Sequence, residues 1–494
     1  MSKQDYDELV SLTEKHGVFD SISELLEWDK ETIMPRGASQ IREKQREILE
    51  YQTHTNATNP RIGEILKTMD RSTFSEEQIA QVREIERNYK TKTCIPAELV
   101  KKEVRLKPRA LASWKKAREE NDFSIFETPL SEFVEIQKQK AHHINKKAHS
   151  YQTLLNEYER GFSLEEINTI FSRIKTTCVP LIKQIAVAAE PDTSFLSRDI
   201  PEEKQMLFFK EIASFLGFSF EKGRLDISVH PFSSAYGRIT TRFTDGWWGA
   251  IGSVIHELGH GKYEHNLPFD NFGTPLGNAR SLGVHESQSR LWENHVGKSH
   301  SFWSGYFGTL KQSYAPYLDD VSFEKFYRAI NVVRSDFIRV NADELTYTLH
   351  IVIRFEIEKA LIEGSLDVKD IPSAWNKKTE EILGITPPND TLGCLQDIHW
   401  GYGEFGYFPT YTIGSMLAAQ LWNAAKREIP FLDSLVYEGN FSPLNNWLEK
   451  KIHRHGCRYS TKELIYRATG KEPSVDDYVS YLYKKFSNLY SLDS

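Results

Sequence analysis

Trp247-Trp248-Gly249-Ala250-Ile251-Gly252-Ser253-Val254-Ile255-His256-Glu257-Leu258-Gly259-His260 is the stretch on which the reading of this chain turns. Its aromatic and aliphatic flanks make it part of a buried helix. On a helix, residues four apart share a face, so the imidazoles of His256 and His260 can reach one metal ion. Glu257 then lies beside the ion's open position, placed to take a proton from water. With 16 histidines in 494 residues, a chance match somewhere in the chain has a probability of roughly 0.03–0.04. Two histidines merely satisfied in a core are the alternative, and a zinc site is the expectation.

A catalytic zinc needs a third protein ligand and a free coordination position. The third histidine of the extended HExxHxxGxxH pattern is missing, because Tyr263 takes its glycine position and Asn266 its last position. His265 would have to turn back sharply. A second helix is the better source, and Ser281-Leu282-Gly283-Val284-His285-Glu286-Ser287-Gln288-Ser289-Arg290 offers one. Glu286 is the best candidate by spacing, with His285 and Glu293 as alternatives.

Outward from this core, helical periodicity dominates residues 1–220, with patterns at about 40–52, 76–90, 97–118, 125–157 and 164–190, the last interrupted by Pro180. The first segment ends at Met34-Pro35-Arg36-Gly37. Near 222 the texture changes. Leu225–His230 and Arg238–Phe243 alternate like strands around Pro231, which predicts a short hairpin, one able to offer an edge strand to an extended peptide. Residues 375–411 are rich in glycine, proline and aromatics and are expected to be an irregular functional loop. Helices resume at about 413–427, 442–453, 461–469 and 475–488. No linker or repeat divides the chain. The expectation is a mainly α protein: one domain over 1–494, bilobed around a deep cleft, with a small β-sheet near the site. Its N-terminal helices would span about 1–220, the metal and substrate site about 221–415, and the C-terminal helices 416–494.

Composition excludes rather than names. The hydrophobic share of 39% is enough for a large core, and 62 basic against 69 acidic residues leave a net charge of −7, no footprint for nucleic acid. Four scattered cysteines without a CxxC pair argue against a disulfide scaffold or a thiolate zinc site. No run nears the 18 or more apolar residues of a membrane span, and the polar start shows no leader, so a cytoplasmic protein is expected.

The motifs also form an ordered series. The chain resembles the carboxypeptidase Taq family of metallocarboxypeptidases through His230-Pro231-Phe232, His256–His260 and His285-Glu286-Ser287-Gln288. Ile338-Arg339-Val340-Asn341-Ala342-Asp343 and Gly393-Cys394-Leu395-Gln396-Asp397-Ile398-His399-Trp400 continue the series, and Leu26-Glu27-Trp28-Asp29 through Met34-Pro35 has the same look. One marker departs. Where the family has Asp-x-Arg-x-Thr, this chain has Tyr236-Gly237-Arg238-Ile239-Thr240, after a shortened stretch. The resemblance implies a gluzincin-type, neurolysin-like helical fold, one zinc per chain held by His256, His260 and Glu286 (cobalt being another ion the set accepts), and Glu257 as the catalytic glutamate. It also implies release of single C-terminal amino acids with broad specificity, poor action on proline, and a homodimer.

That chemistry assigns further roles. An oxyanion needs a donor besides the metal, and Tyr407 and Tyr411 are candidates, Tyr411 preferred. A free C-terminal carboxylate suits a forked guanidinium, so Arg339 is the anchor, with a buried structural pairing to Asp343, four residues on in the same helix, as the alternative. His230, Arg238, Gln396 and His399 are expected to touch substrate or to support groups that do. His142, His143, His453 and His455 are expected at the surface. A helical zinc endopeptidase or oligopeptidase shares the same chemistry, and a non-catalytic peptide-binding relative is a further alternative.

Overall fold

The computed structural model describes residues 2–492, so Met1, Asp493 and Ser494 of the expected domain lie outside it. Helices carry most of the chain, together with a three-stranded sheet, and the mainly α class stands. The first helix, Ser2–Thr32, ends two residues before Met34-Pro35. The pattern at 125–157 divides into Ser124–Ile144 and Ser150–Tyr158. The Asn145 side chain accepts the backbone N–H groups of Lys147 and Ala148, a local turn that competes with helix, and His149 Nδ1 then caps the second segment. Pro180 does not interrupt its helix, which runs Leu164–Ile185 and ends short of 190. The capping box of Ser163 and Glu166 starts it, and a buried face of Ile174, Cys178, Leu181 and Ile182 holds it through the proline.

The chain divides into two compact units, each assembled from three stretches. The first comprises Met1–Thr93, Pro191–Ile330 and Leu417–Pro473. Its core is strongly aromatic, with Phe195, Phe208, Phe209, Trp247, Trp292, Trp303 and Tyr314 all fully buried. The second comprises Cys94–Glu190, Asn331–Met416 and Ser474–Ser494. It is organised around the helix Glu344–Glu363, which Asp343 caps through Leu345 and Thr346 and Gly364 ends in the left-handed conformation.

The small sheet belongs to the first unit and differs from the expected hairpin. Strand β1 (Arg224–Ile227) pairs in parallel with β3 (Arg238–Thr241), Leu225 opposite Ile239, while β2 (Ser233–Ser234) pairs with β3 antiparallel. The hairpin is therefore β2–β3. Ala235, Tyr236 and Gly237, at φ 42°, 61° and 76°, make its turn, and the chain between Ser228 and Phe232 carries β1 to the far edge. Ile239 and Thr241 face the Gly246–His265 helix, where Thr241 Oγ1 lies 2.5 Å from Ser253 Oγ. The loop expected over 375–411 also shortens: the helix Ile371–Leu383 occupies its start, and irregular chain follows, broken by the four-residue helix His399–Tyr402.

Candidate metal centre

The Gly246–His265 helix buries Ala250, Ile251, Val254, Ile255 and Leu258 on one side and leaves the imidazoles of His256 and His260 half-buried on another. A second helix, Leu282–Arg290, starts at Ser281, whose hydroxyl accepts the Val284 N–H at 3.1 Å. The two approach closely at Gly259: a Cβ there would sit 2.6 Å from Gln288 O, so glycine is required between the histidines.

That approach brings Glu286 to the histidines. Its Oε2 lies 3.5 Å from His256 Nε2 and 3.4 Å from His260 Nε2. Donors held about 2.1 Å from a tetrahedral centre stand about 3.4 Å apart, so two imidazoles and one carboxylate at this spacing fit a zinc-sized divalent ion. The other oxygen of Glu286 is taken. Arg290 Nε donates to Oε1 at 2.7 Å, and Ser289 Oγ donates to Oε2 at 3.0 Å. Burial opposes ionisation of Glu286, but Arg290 and the histidines hold its carboxyl well below the usual range. With one oxygen engaged by arginine, Glu286 would ligate through Oε2 alone. Glu257 is 7% exposed, and burial pushes its carboxyl up to about 7, with Glu286 and Glu293 adding to the rise.

His285 and Glu293, the alternative third ligands, lie outside the triad. Glu293 Oε2 meets His256 Nδ1 at 2.8 Å and is braced by Arg290 and Lys298, and His285 Nδ1 meets His260 Nδ1 at 2.6 Å. Glu293 lies within a π-helical segment, Leu291–Val296, that continues the second helix. His265 turns away toward Phe218 and Gly237. Spacing missed Arg290, although it stands four residues after Glu286, the usual distance of a helical ion pair.

Other expected residues of this unit serve the sheet. Arg238 donates to Ala235 O at 2.6 Å and lies over the Trp28 ring, so it braces the β2–β3 turn. His230 is exposed, 3.5 Å from Arg242 Nη1. Tyr236, standing where an aspartate was expected, sets its ring against Phe272 and lines a cavity of about 400 Å³ with Lys222, Glu264 and Phe269. His453 is not a surface residue. It is 1% exposed, with Nε2 2.9 Å from Gln288 Oε1, whereas His142 and His143 are exposed as expected.

The second unit gathers the remaining candidates. Arg339 sits in a single 3-10 turn, Arg339–Asn341, rather than a helix. Asp343 is occupied as a helix cap, and Arg339 pairs instead with Asp397, Nη2 to Oδ1 at 2.8 Å. Arg354, fully buried, donates to the other oxygen of Asp397. Gln396 is spent inside this cluster: its Oε1 accepts Arg339 N at 2.8 Å and Arg354 Nη2 at 2.7 Å. His399 Nδ1 lies 3.6 Å from Asp397, and Tyr411 Oη lies 3.4 Å from His399 Nε2. Tyr407 packs edge-on against Tyr411, whose ring stands over Arg339 at 5.1 Å. Arg354 was also missed, although an arginine inside Leu349-His350-Ile351-Val352-Ile353-Arg354-Phe355 is a signal in itself.

A helical fold with a histidine–histidine–glutamate centre and a free glutamate beside it is of metallopeptidase type. Residues 8–486 match the model of the family described as Carboxypeptidase Taq (M32) metallopeptidase. Carboxypeptidase 1 of Bacillus subtilis is 37% identical over 476 residues, 95% of each chain. Thermostable carboxypeptidase 1 of Thermus thermophilus is 37% identical over 504 residues, 98% of this chain and 99% of that one. The crystal structure of M32 carboxypeptidase from Deinococcus radiodurans R1 superposes with a TM-score of 0.96 at 36% identity, covering 99% of this chain and 100% of that one. For Pyrococcus furiosus carboxypeptidase in a structure named Apo-Mg, the TM-score is 0.94 at 31% identity, covering 98% and 99%. The chain belongs to the carboxypeptidase Taq family: it is a metallocarboxypeptidase, a hydrolase that depends on a divalent metal ion. Among the described residues, no helix is long and apolar enough to cross a membrane.

Proposed function

We propose that this enzyme is a zinc carboxypeptidase of broad specificity, releasing single amino acids from peptide C termini, with His256, His260 and Glu286 as its ligands. The observation that carries the reading is the spacing of the three ligand atoms, all within 4.8 Å of one another, with the buried Glu257 beside them. When bound, the ion polarises the scissile carbonyl and acidifies the attacking water. Glu257 accepts the water's proton on a carboxylate oxygen and delivers it to the nitrogen of the leaving amine. Burial pushes the Glu257 carboxyl up from the usual carboxylate range, the direction that favours a group which takes up a proton and passes it on. Tyr411, in preference to Tyr407, donates its phenolic proton to the oxyanion as a hydrogen bond.

Arg339 takes the terminal carboxylate of the substrate. Its guanidinium shares Asp397 with Arg354, so two cations face one anion and the cluster retains attraction for a second carboxylate. His399 supports Tyr411. His230 and Arg238 enter the proposal only as braces of the neighbouring sheet, and Gln396 as a brace of Arg339. Weak action on C-terminal proline and a homodimer are carried by the family resemblance alone, and a cytoplasmic setting by the scarcity of cysteine.

A ladder of N-blocked peptides, assayed with zinc and with cobalt on metal-stripped enzyme, tests this reading. One free amino acid should appear per cycle, and amidation of the C terminus should abolish turnover. Internal cleavage of doubly blocked peptides would overturn it in favour of an oligopeptidase.

A further inference from the structure

The two histidines of the triad turn their second ring nitrogens to unlike partners. His256 Nδ1 meets a carboxylate directly, Glu293 Oε2 at 2.8 Å. His260 Nδ1 meets another imidazole, His285 Nδ1, at 2.6 Å, and only beyond it comes a carboxylate, Glu264 Oε1, 2.7 Å from His285 Nε2. Nothing in the assigned chemistry uses His285 or Glu264.

Proton counting fixes what this chain of contacts does. Two ring nitrogens at hydrogen-bond distance share one proton, since two N–H groups would collide and two lone pairs would repel. An ionised carboxylate only accepts, so Glu264 requires the proton of His285 to sit on Nε2. A neutral His285 then presents a bare Nδ1, and the shared proton belongs to His260 Nδ1. That leaves the lone pair of His260 on Nε2, the atom 3.4 Å from Glu286 Oε2. In the reverse arrangement a doubly protonated His285 would donate to His260 Nδ1. His260 would then carry its own proton on Nε2, and a protonated nitrogen cannot bind a metal ion.

We propose that His285 and Glu264 form a positioning relay that fixes the tautomer and ring plane of His260 and so presents its Nε2 to the divalent ion. The inference rests on the reading of His256, His260 and Glu286 as the metal centre. Its parts are tied by short covalent distances. Glu264 lies one turn beyond His260 on the same helix, and His285 is joined by a single peptide bond to Glu286. The Tyr263 ring packs 5.2 Å from His285, and its hydroxyl accepts the Arg280 N–H at 3.2 Å, which holds the imidazole from the side. The side chains of His285 and Glu264 are 21% and 24% exposed, so water competes only in part for their contact. His285 and Glu264 are positioning residues: they act on substrate only through His260.

Metal-stripped enzyme titrated with cobalt(II) against a competing chelator gives the test. The His285→Leu variant should bind cobalt about 10- to 100-fold more weakly and show an altered visible spectrum. In His285→Asn the amide oxygen falls near the place of Nδ1 and can still accept from His260, so most of the affinity should return. Glu264→Gln, which keeps an acceptor for His285 Nε2, should change affinity only a few-fold. Circular dichroism and melting temperature check folding, and if His285→Leu does not fold, His285→Ala takes its place in the comparison with His285→Asn. Unchanged cobalt affinity and spectrum in the leucine or alanine variant would overturn the relay. So would an asparagine variant no better than the apolar ones, because packing alone would then account for the loss. A wild-type enzyme that binds no cobalt through the triad would overturn the metal-centre reading and the relay with it. A wild type that binds cobalt yet releases no amino acid counts against the peptidase reading alone, and the affinity series still decides the relay.

Discussion

The two buried charge clusters have opposite polarity. In the first unit three carboxylates, Glu257, Glu286 and Glu293, gather at two imidazoles, and the cations paired with the last two are Arg290 and Lys298. In the second, guanidinium groups surround a carboxylate, with Arg339 and Arg354 sharing Asp397. A cluster with surplus acid is prepared for a cation, and one with surplus base for an anion. Burial sharpens both, because unpaired charge in a low dielectric is costly until its ligand arrives.

Removing the acid that neither binds metal nor is neutralised should cost most. Glu257→Gln is expected to lower kcat by about 10²- to 10⁴-fold with metal content unchanged, as read by turnover and metal analysis side by side. Loss of metal along with activity would instead make Glu257 structural, and the first cluster would lose its catalytic member.

The second cluster should fail in a different currency. Asp397→Asn leaves two buried guanidinium groups facing each other, and denaturant unfolding is expected to show a loss of about 3–5 kcal/mol. An unchanged midpoint would mean that water already screens the pair, and the contrast between the clusters would weaken.

A third outcome concerns a carboxyl outside both clusters. Glu358 is fully buried, yet it accepts Tyr151 Oη at 3.0 Å, Trp400 Nε1 at 2.9 Å and Gly406 N at 3.0 Å. Burial raises its pKa from 4.5 to about 7 despite these donors. The folded chain therefore binds this proton more tightly than the unfolded one. The stabilisation is complete below about pH 4.5 and is lost as pH rises through about 7, a change of at most about 3 kcal/mol. Glu358→Gln should flatten that slope in denaturant unfolding measured between pH 5 and 7, and equal slopes would refute it.

The smallest effect isolates geometry from charge. Arg339→Lys keeps the cation but loses the fork, so kcat/KM on free-carboxylate peptides should fall about 10-fold while Asp397 stays neutralised. No change would mean that charge alone anchors the substrate.

How far these clusters could be read in advance follows from their reach along the chain. His256, Glu257 and His260 lie within one turn and a half of helix, so spacing announces them. Glu286 needs only a second helix thirty residues on, and spacing ranks it first without excluding His285 or Glu293. Arg339 and Asp397 are 58 positions apart, and nothing local says that Asp397, rather than the nearby Asp343, is the partner. The same limit produced the misread hairpin, because a parallel pairing of β1 and β3 leaves a strand pattern that an antiparallel one would also leave. His453 sits among charged neighbours, and its burial depends on Gln288, 165 positions away.

The π-helical segment Leu291–Val296 has a consequence for how this enzyme can vary. One surplus residue wound into a helix puts everything before it out of step with everything after it by about 100°. Deletion of a single codon there would restore ordinary winding. A deletion at 291 or 292 would leave Glu286 and Arg290, upstream, in place but turn Glu293 away from His256. A one-residue length difference between relatives at 291–292 would therefore report whether that histidine keeps its carboxylate partner, a reading open to simple sequence comparison without any further structure.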